Sequence, residues 1–147
     1  MDHIAISSAA QADVDAIKAI LIGNNLPTAG VDDHWRSFVI ARAGGTVIGC
    51  AGAEMYQGAA LIRSVAVVPE YRSRGVGHEL VRQLLDRLTA SGLREFYLLT
   101  TTAENYFGRR GFEKIDRSEV HPQLLASREF QDACPKSAVC MRLVTHA

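Results

Sequence analysis

The sequence predicts one α/β domain, a mixed and mostly antiparallel sheet with a central parallel βαβ unit and flanking helices. Three observations carry this. "SFVIARAGGTVIGCAGAEMYQGAALIRSVAVV" reads as three strands divided by the turn pairs Gly44-Gly45 and Gln57-Gly58. Apolar strands at 61–68 and 94–100 flank an amphipathic helix, which makes them parallel neighbours with a right-handed connection. The 147 residues, 48% of them hydrophobic, support one core and leave no room for a second.

Residues 3–7 form the first strand. Val14, Ile17, Ile20 and Leu21 then recur at helical spacing, until Asn24-Asn25 and Pro27 end the helix. From Thr28 to Arg36 the chain reads as loop with a helical turn. After the three hairpin strands, Val76, Leu80, Leu84 and Leu88 fall four apart between Gly75 and about Ser91, and Gly92 stops that helix. "REFYLLT" returns as a strand. A short helix near 103–110, a strand over 112–118, helix over 122–130 and a closing strand in "AVCMRLV" complete the reading.

Lys plus Arg (16) balances Asp plus Glu (16), so the chain has no basic field for nucleic acid, and anion recognition has to be local. Its apolar runs are too short to span a membrane, and the acidic Asp2 argues against a secretory signal, so a soluble cytoplasmic protein is expected. Three cysteines without CxxC spacing and five scattered histidines indicate neither a disulfide framework nor a metal site.

The stretch "SVAVVPEYRSRGVGHEL" runs a strand into a proline, two arginines, two glycines and a helix. The first turn of a helix carries unpartnered N–H groups, and glycine lets a ligand approach that backbone closely, so an anion is the natural guest. The string fits neither the Walker loop nor the dinucleotide fingerprint.

"VAVVPEYRSRGVG" resembles the GCN5-related N-acetyltransferases, whose R/Q-x-x-G-x-G/A signature follows a strand of V-x-V-x-P character and opens a helix. "ENYFGRRGF" follows at the expected distance, and the resemblance covers nearly the whole chain. It implies an N-acetyltransferase domain over 1–147 with acetyl-CoA as co-substrate and no metal. The diphosphate would lie on the backbone of Arg72, Ser73, Arg74, Gly75, Val76 and Gly77, with one arginine reaching a phosphate oxygen. The pantetheine would pair with the edge formed by Val65, Ala66 and Val67, whose N–H groups would also hold the thioester carbonyl. Asn105 matches a family position lining the cofactor. A homodimer is expected on resemblance alone.

The hairpin at Gln57-Gly58 sets Glu54 opposite Leu61 and makes Arg63 its diagonal neighbour on the same face. Charges in such apolar strands require a partner or a solvated cavity. Either the two pair as a structural bridge, or they frame a zwitterion, with Arg63 on the carboxylate, Ser64 beside it and Glu54 as the catalytic base for the ammonium proton. Many family members carry a tyrosine four residues before the glycine of the later motif, as acid to the departing thiolate. Here that place is Phe107, and Tyr106, turned about 100° away, is expected to be a packing residue.

"SREFQDACPKSAVCM", taken with "ALIRSVAVVP", resembles the small N-acetyltransferases associated with arsenic resistance and their amino-acid N-acetyltransferase relatives. That implies acetylation of the amino group of a small amino acid or an amino-acid-like toxin by direct attack, with Arg128 available for a second anion. Cys134 and Cys140 are expected to pack rather than bind arsenic. The alternatives are an acetyl-CoA sensor without turnover, for which Phe107 speaks, and acetylation of a protein N-terminus or a polyamine, which Arg63 disfavours.

Overall fold

The computed structural model describes residues 3–127, 130–131 and 137–145. Seven strands form one sheet: β1 (Ile4–Ser8), β2 (Phe38–Ala43), β3 (Thr46–Met55), β4 (Ala59–Val67), β5 (Glu95–Thr100), β6 (Glu113–Lys114) and β7 (Val139–Val144), in the order β1-β2-β3-β4-β5-β7-β6. All neighbours are antiparallel except β4 and β5. The helices are α1 (Val14–Gly23), α2 (Val31–His34), α3 (Val76–Ala90) and α4 (Glu104–Arg109). No helix among the described residues is long and apolar enough to cross a membrane.

The turn pairs behave as their chemistry requires. Gly44 and Gly45 both have positive φ, and Gly58 (φ 77) closes a two-residue hairpin in which Tyr56 N–H donates to the Ala59 carbonyl at 2.8 Å. Helix α3 buries Val76, Leu80, Val81, Leu84 and Leu88 against one face of the sheet, where Ala53, Ile62, Phe96 and Leu98 meet them. Each such side chain contributes about 1.5–3 kcal/mol on leaving water. Helix α1 covers the other face with Ile17, Ile20 and Leu21 on Phe38, Ile40, Cys50 and Ala66. Burial pushes the Cys50 thiol up to about 12, so it is an inert packing group.

Two irregularities of β4 shape everything near it. Its pairing with β3 runs in step from Met55↔Ala60 to Gly52↔Arg63, then shifts, so that Cys50 faces Ala66. This bulge contains Ser64 at φ 60, and the extra residue reverses the alternation. Leu61 lies on the α1 side of the sheet, and so does Ala66, while Val65 and Val67 pack toward α3. Pairing with β5 covers only Ala59↔Glu95, Ala60↔Phe96 and Leu61↔Tyr97. Beyond Leu61 the two parallel strands separate.

The C-terminal third departs from the sequence reading. Of the strand expected over 112–118 only Glu113–Lys114 forms a ladder with β7, followed by one bond from the Ile115 N–H to the Cys140 carbonyl, because Asp116 caps a 3-10 turn, Arg117–Glu119, by accepting from the Ser118 N–H at 3.1 Å. The helix expected over 122–130 is a 3-10 segment at Pro122–Ala126, whose Leu124 is fully buried. Strand β7 lies inside the sheet, between β5 and the short β6.

Gly52 faces the ring of Phe38 so closely that an added Cβ would sit 2.2 Å from it. Gly52→Ala is therefore expected to lose roughly 1–3 kcal/mol through overpacking. Urea denaturation with an unchanged m-value checks this.

Candidate active site

Where β4 leaves β5, a cavity of about 730 Å³ opens between them. Ile62 to Val65 form one wall and Leu98 to Ala103 the other. Gly77 and His78 stand at one end, Tyr106 and Phe107 of α4 close the side, and Asn25, Leu26 and Pro27 after α1 form a lip. From Ile62 onward the β5 side of β4 has no strand partner, which leaves main-chain donors and acceptors for a ligand that lies extended along it. Val65 lines the cavity, Ala66 is buried toward α1, and Val67 packs near α3.

At the open end the backbone is set to receive an anion. Ser73 (φ 63) and Gly75 (φ 80) take left-handed conformations that turn the chain into α3. The first intrahelical donor is Glu79 N–H, bonded to the Gly75 carbonyl at 3.0 Å, so the N–H groups of Val76, Gly77 and His78 precede the helix ladder. The two arginines differ. Arg74 lies over the Tyr71 ring at 5.1 Å and is exposed, whereas Arg72 donates from Nε to the Val67 carbonyl (3.1 Å) and from Nη2 to Asn24 Oδ1 (2.6 Å).

Glu54 and Arg63 meet on the α1 side of the sheet. Arg63 Nη1 donates to Glu54 Oε2 at 2.7 Å, and their side chains are only 1% and 3% exposed. The Tyr56 hydroxyl donates to Glu54 Oε1 at 2.7 Å, and His34 Nε2 stands 3.5 Å from the same oxygen. Burial, and then the bond to Glu54, raise the Tyr56 hydroxyl above its ordinary value. Arg63 also donates to Ser64 Oγ (2.9 Å) and to the Pro27 carbonyl (3.4 Å). Gly30 (φ 89) backs the pair: a Cβ there would lie 2.7 Å from Arg63 Nη1. Arg63 and Ser64 line the cavity; Glu54 stands behind Arg63, with both oxygens engaged. The two charges are thus paired with each other, as in the bridge alternative, and Glu54 is not among the residues that line the cavity.

Helix α4 carries two residues that the sequence singled out, Asn105 and Tyr106. Successive residues are about 100° apart, and the helix is turned so that Tyr106, not Asn105, lines the cavity. Asn105 is exposed in a shallow depression with Lys114 and Met141. The Tyr106 ring packs edge-on against Phe107, 5.1 Å between centroids. Its hydroxyl is the one buried side-chain polar atom among the described residues with no hydrogen-bond partner. Arg128 lies outside the described residues. The sequence reading missed His34, Gly30, Tyr56 and the 24–27 lip. Only Tyr56, two residues beyond Glu54, carried a local signal.

Glu54→Ala takes away the carboxylate at 2.7 Å from Arg63 Nη1 and leaves a buried guanidinium less compensated. Glu54→Ala is expected to lower stability by about 3–5 kcal/mol, and Glu54→Leu with Arg63→Met to restore most of it. Equilibrium urea unfolding of the three variants checks both.

Residues 14–130 match the model of the acetyltransferase (GNAT) family. An uncharacterised N-acetyltransferase of Chlorobaculum tepidum is 35% identical over 111 residues, covering 74% of this chain and 68% of that protein. An amino-acid acetyltransferase of Aeromonas salmonicida is 33% identical over 85 residues, 56% of this chain. N-acetylglutamate synthase from Neisseria gonorrhoeae, solved with coenzyme A and N-acetyl-glutamate, has the same fold over 99% of this chain with a TM-score of 0.83 and 19% identity. The chain spans only 19% and 36% of the lengths of these last two proteins. A family model matched along most of its length places the chain: it belongs to the acetyltransferase (GNAT) family of acyl-transferring enzymes.

Proposed function

We propose that this protein transfers the acetyl group of acetyl-CoA to the amino group of a small amino acid or amino-acid-like compound by direct attack. The separation of β4 from β5, with the start of α3 at its open end, carries this reading. The N–H groups at 76–78, with Arg74 nearby, suit the diphosphate, and the free edge at 65–67 suits the amides of a pantetheine arm. Main-chain N–H groups of that edge hold the thioester carbonyl, and such a donor is worth about 10²–10³ in rate. The relatives named as amino-acid acetyltransferases, and the synthase holding coenzyme A and N-acetyl-glutamate, support an amino-acid acceptor.

The acceptor end of the cavity agrees in charge. Among the described lining residues there is no Asp or Glu, while Arg63 is on the wall. A polyamine would find no carboxylate there, whereas the carboxylate of an amino acid would meet Arg63, held by Glu54 and Ser64, in exchange for its longer 3.4 Å contact to the Pro27 carbonyl. Glu54 then acts as a positioning residue for Arg63, and the amine loses its proton to water. As the C–S bond breaks, the electron pair goes to sulfur. Both His78 and Tyr106 line the cavity, and we assign the proton to the buried Tyr106 hydroxyl, which has no hydrogen-bond partner of its own; solvent reprotonates it.

Thiol release from acetyl-CoA across a panel of amino acids and their carboxamides tests the reading. Each acid is expected to exceed its own carboxamide roughly 10–100-fold in kcat/KM, the worth of one charge-assisted bond. Coenzyme binding without release would mark a sensor instead, and equal turnover of acid and carboxamide would remove Arg63 from recognition. Tyr106→Phe, which keeps the ring, is expected to lower kcat by about 10²-fold. An acetyl donor with a more acidic leaving thiol should show a smaller loss.

A further inference from the structure

We infer that Arg72 is a positioning strut between the coenzyme loop and the acceptor lip, not a phosphate ligand, so that filling the loop orders residues 24–27. This rests on the reading that residues 72–77 receive the coenzyme diphosphate.

The guanidinium of Arg72 spans two acceptors. Nε holds the Val67 carbonyl at the end of β4, and Nη2 holds Asn24 Oδ1 at 2.6 Å, across 48 positions of sequence. A planar fork engaged at two places is fixed in direction. Asn24 is equally committed. Its backbone N–H closes α1 onto the Ile20 and Leu21 carbonyls, and its side-chain amide donates to the Ile20 carbonyl at 2.8 Å. With the amide nitrogen so engaged, the side-chain oxygen faces Arg72.

The next residues are the lip itself. Asn25 (φ 58) reverses the chain, Leu26 N–H returns to the Leu21 carbonyl at 2.9 Å, and the Pro27 carbonyl accepts from Arg63. The lip is therefore gripped at its far end by the arginine of the acceptor wall and at its near end by the arginine of the coenzyme loop. With Nε on Val67 and Nη2 on Asn24, Arg72 could turn its full fork to a phosphate only by letting go of one of them. Arg74, which stacks on Tyr71 and has no hydrogen-bond acceptor among the described residues, needs no such exchange. Anchoring the turn at 73–77 thus restricts Arg72, and through Asn24 the lip.

The test compares wild type with Arg72→Ala, Asn24→Ala, Asn24→Asp and Arg74→Ala. Calorimetry gives the coenzyme A affinity, and amide hydrogen exchange at Leu26 is followed with and without saturating coenzyme A. In wild type the coenzyme is expected to slow exchange at Leu26 about fivefold, the worth of one surface hydrogen bond. Arg72→Ala and Asn24→Ala should both lose that protection while keeping coenzyme affinity within about threefold. Asn24→Asp preserves an acceptor for Arg72 but not the donor to Ile20, and should retain the protection, which a mere helix-capping role would not allow. Arg74→Ala should weaken coenzyme A and leave the protection in place. The strut is overturned if Arg72→Ala weakens coenzyme A tenfold while Asn24→Ala does not, or if either alanine variant keeps the wild-type protection. A wild-type protein that does not bind coenzyme A overturns the underlying reading as well, and that result is seen before any variant is made.

Discussion

A strand has one hydrogen-bonding edge on each side, and β4 cannot follow two neighbours that diverge. It stays with β3 through a bulge at Ser64 and gives up β5 after three paired residues. The whole candidate site follows from that choice. Separation opens a cavity in the middle of the sheet without breaking either half, because β5 continues to pair with β7 as far as Thr100↔Val139. The backbone groups that β5 no longer satisfies are those a ligand would use, and an unmet buried amide is costly enough that a water or ligand partner is required.

The bulge and the ion pair are parts of one arrangement. Arg63 immediately precedes the bulge, and its Nε bond to Ser64 Oγ crosses into it, while the Cys50 thiol donates to the Ser64 carbonyl from the other strand. Glu54 compensates the Arg63 charge from behind. A buried pair of this kind adds little net stability over apolar residues of the same volume, and what it fixes is the direction of the guanidinium. The tight approach of Gly30 and the contacts of Tyr56 and His34 show how many elements converge to keep that direction.

The two ends of the cavity are chemically distinct. One end has the start of a helix and backbone N–H groups, suited to a diphosphate, and the other has Arg63 in its wall, its buried guanidinium held by Glu54, Ser64 and Pro27, with no carboxylate among the described lining residues. Between them lie apolar side chains, Thr100 to Thr102 and Tyr106. Arg72 joins the two ends through Asn24, so the loop and the lip are one mechanical unit rather than two separate edges.

The sequence by itself determined the strands β1 to β5 and β7, the hairpin turns, the βαβ order, the burial stripe of α3 and the facing of Glu54 and Arg63, because each rests on local periodicity or on a register set by a two-residue turn. Tertiary structure alone decided the rest. The bulge at Ser64 breaks the period of two without a glycine to announce it, the rotation of α4 that exchanged Asn105 for Tyr106 depends on how Phe107 packs, and the commitment of Arg72 to Asn24 joins residues 48 positions apart. Side-chain direction in a short helix or an irregular turn is set by what packs against it, and no spacing in the chain records that.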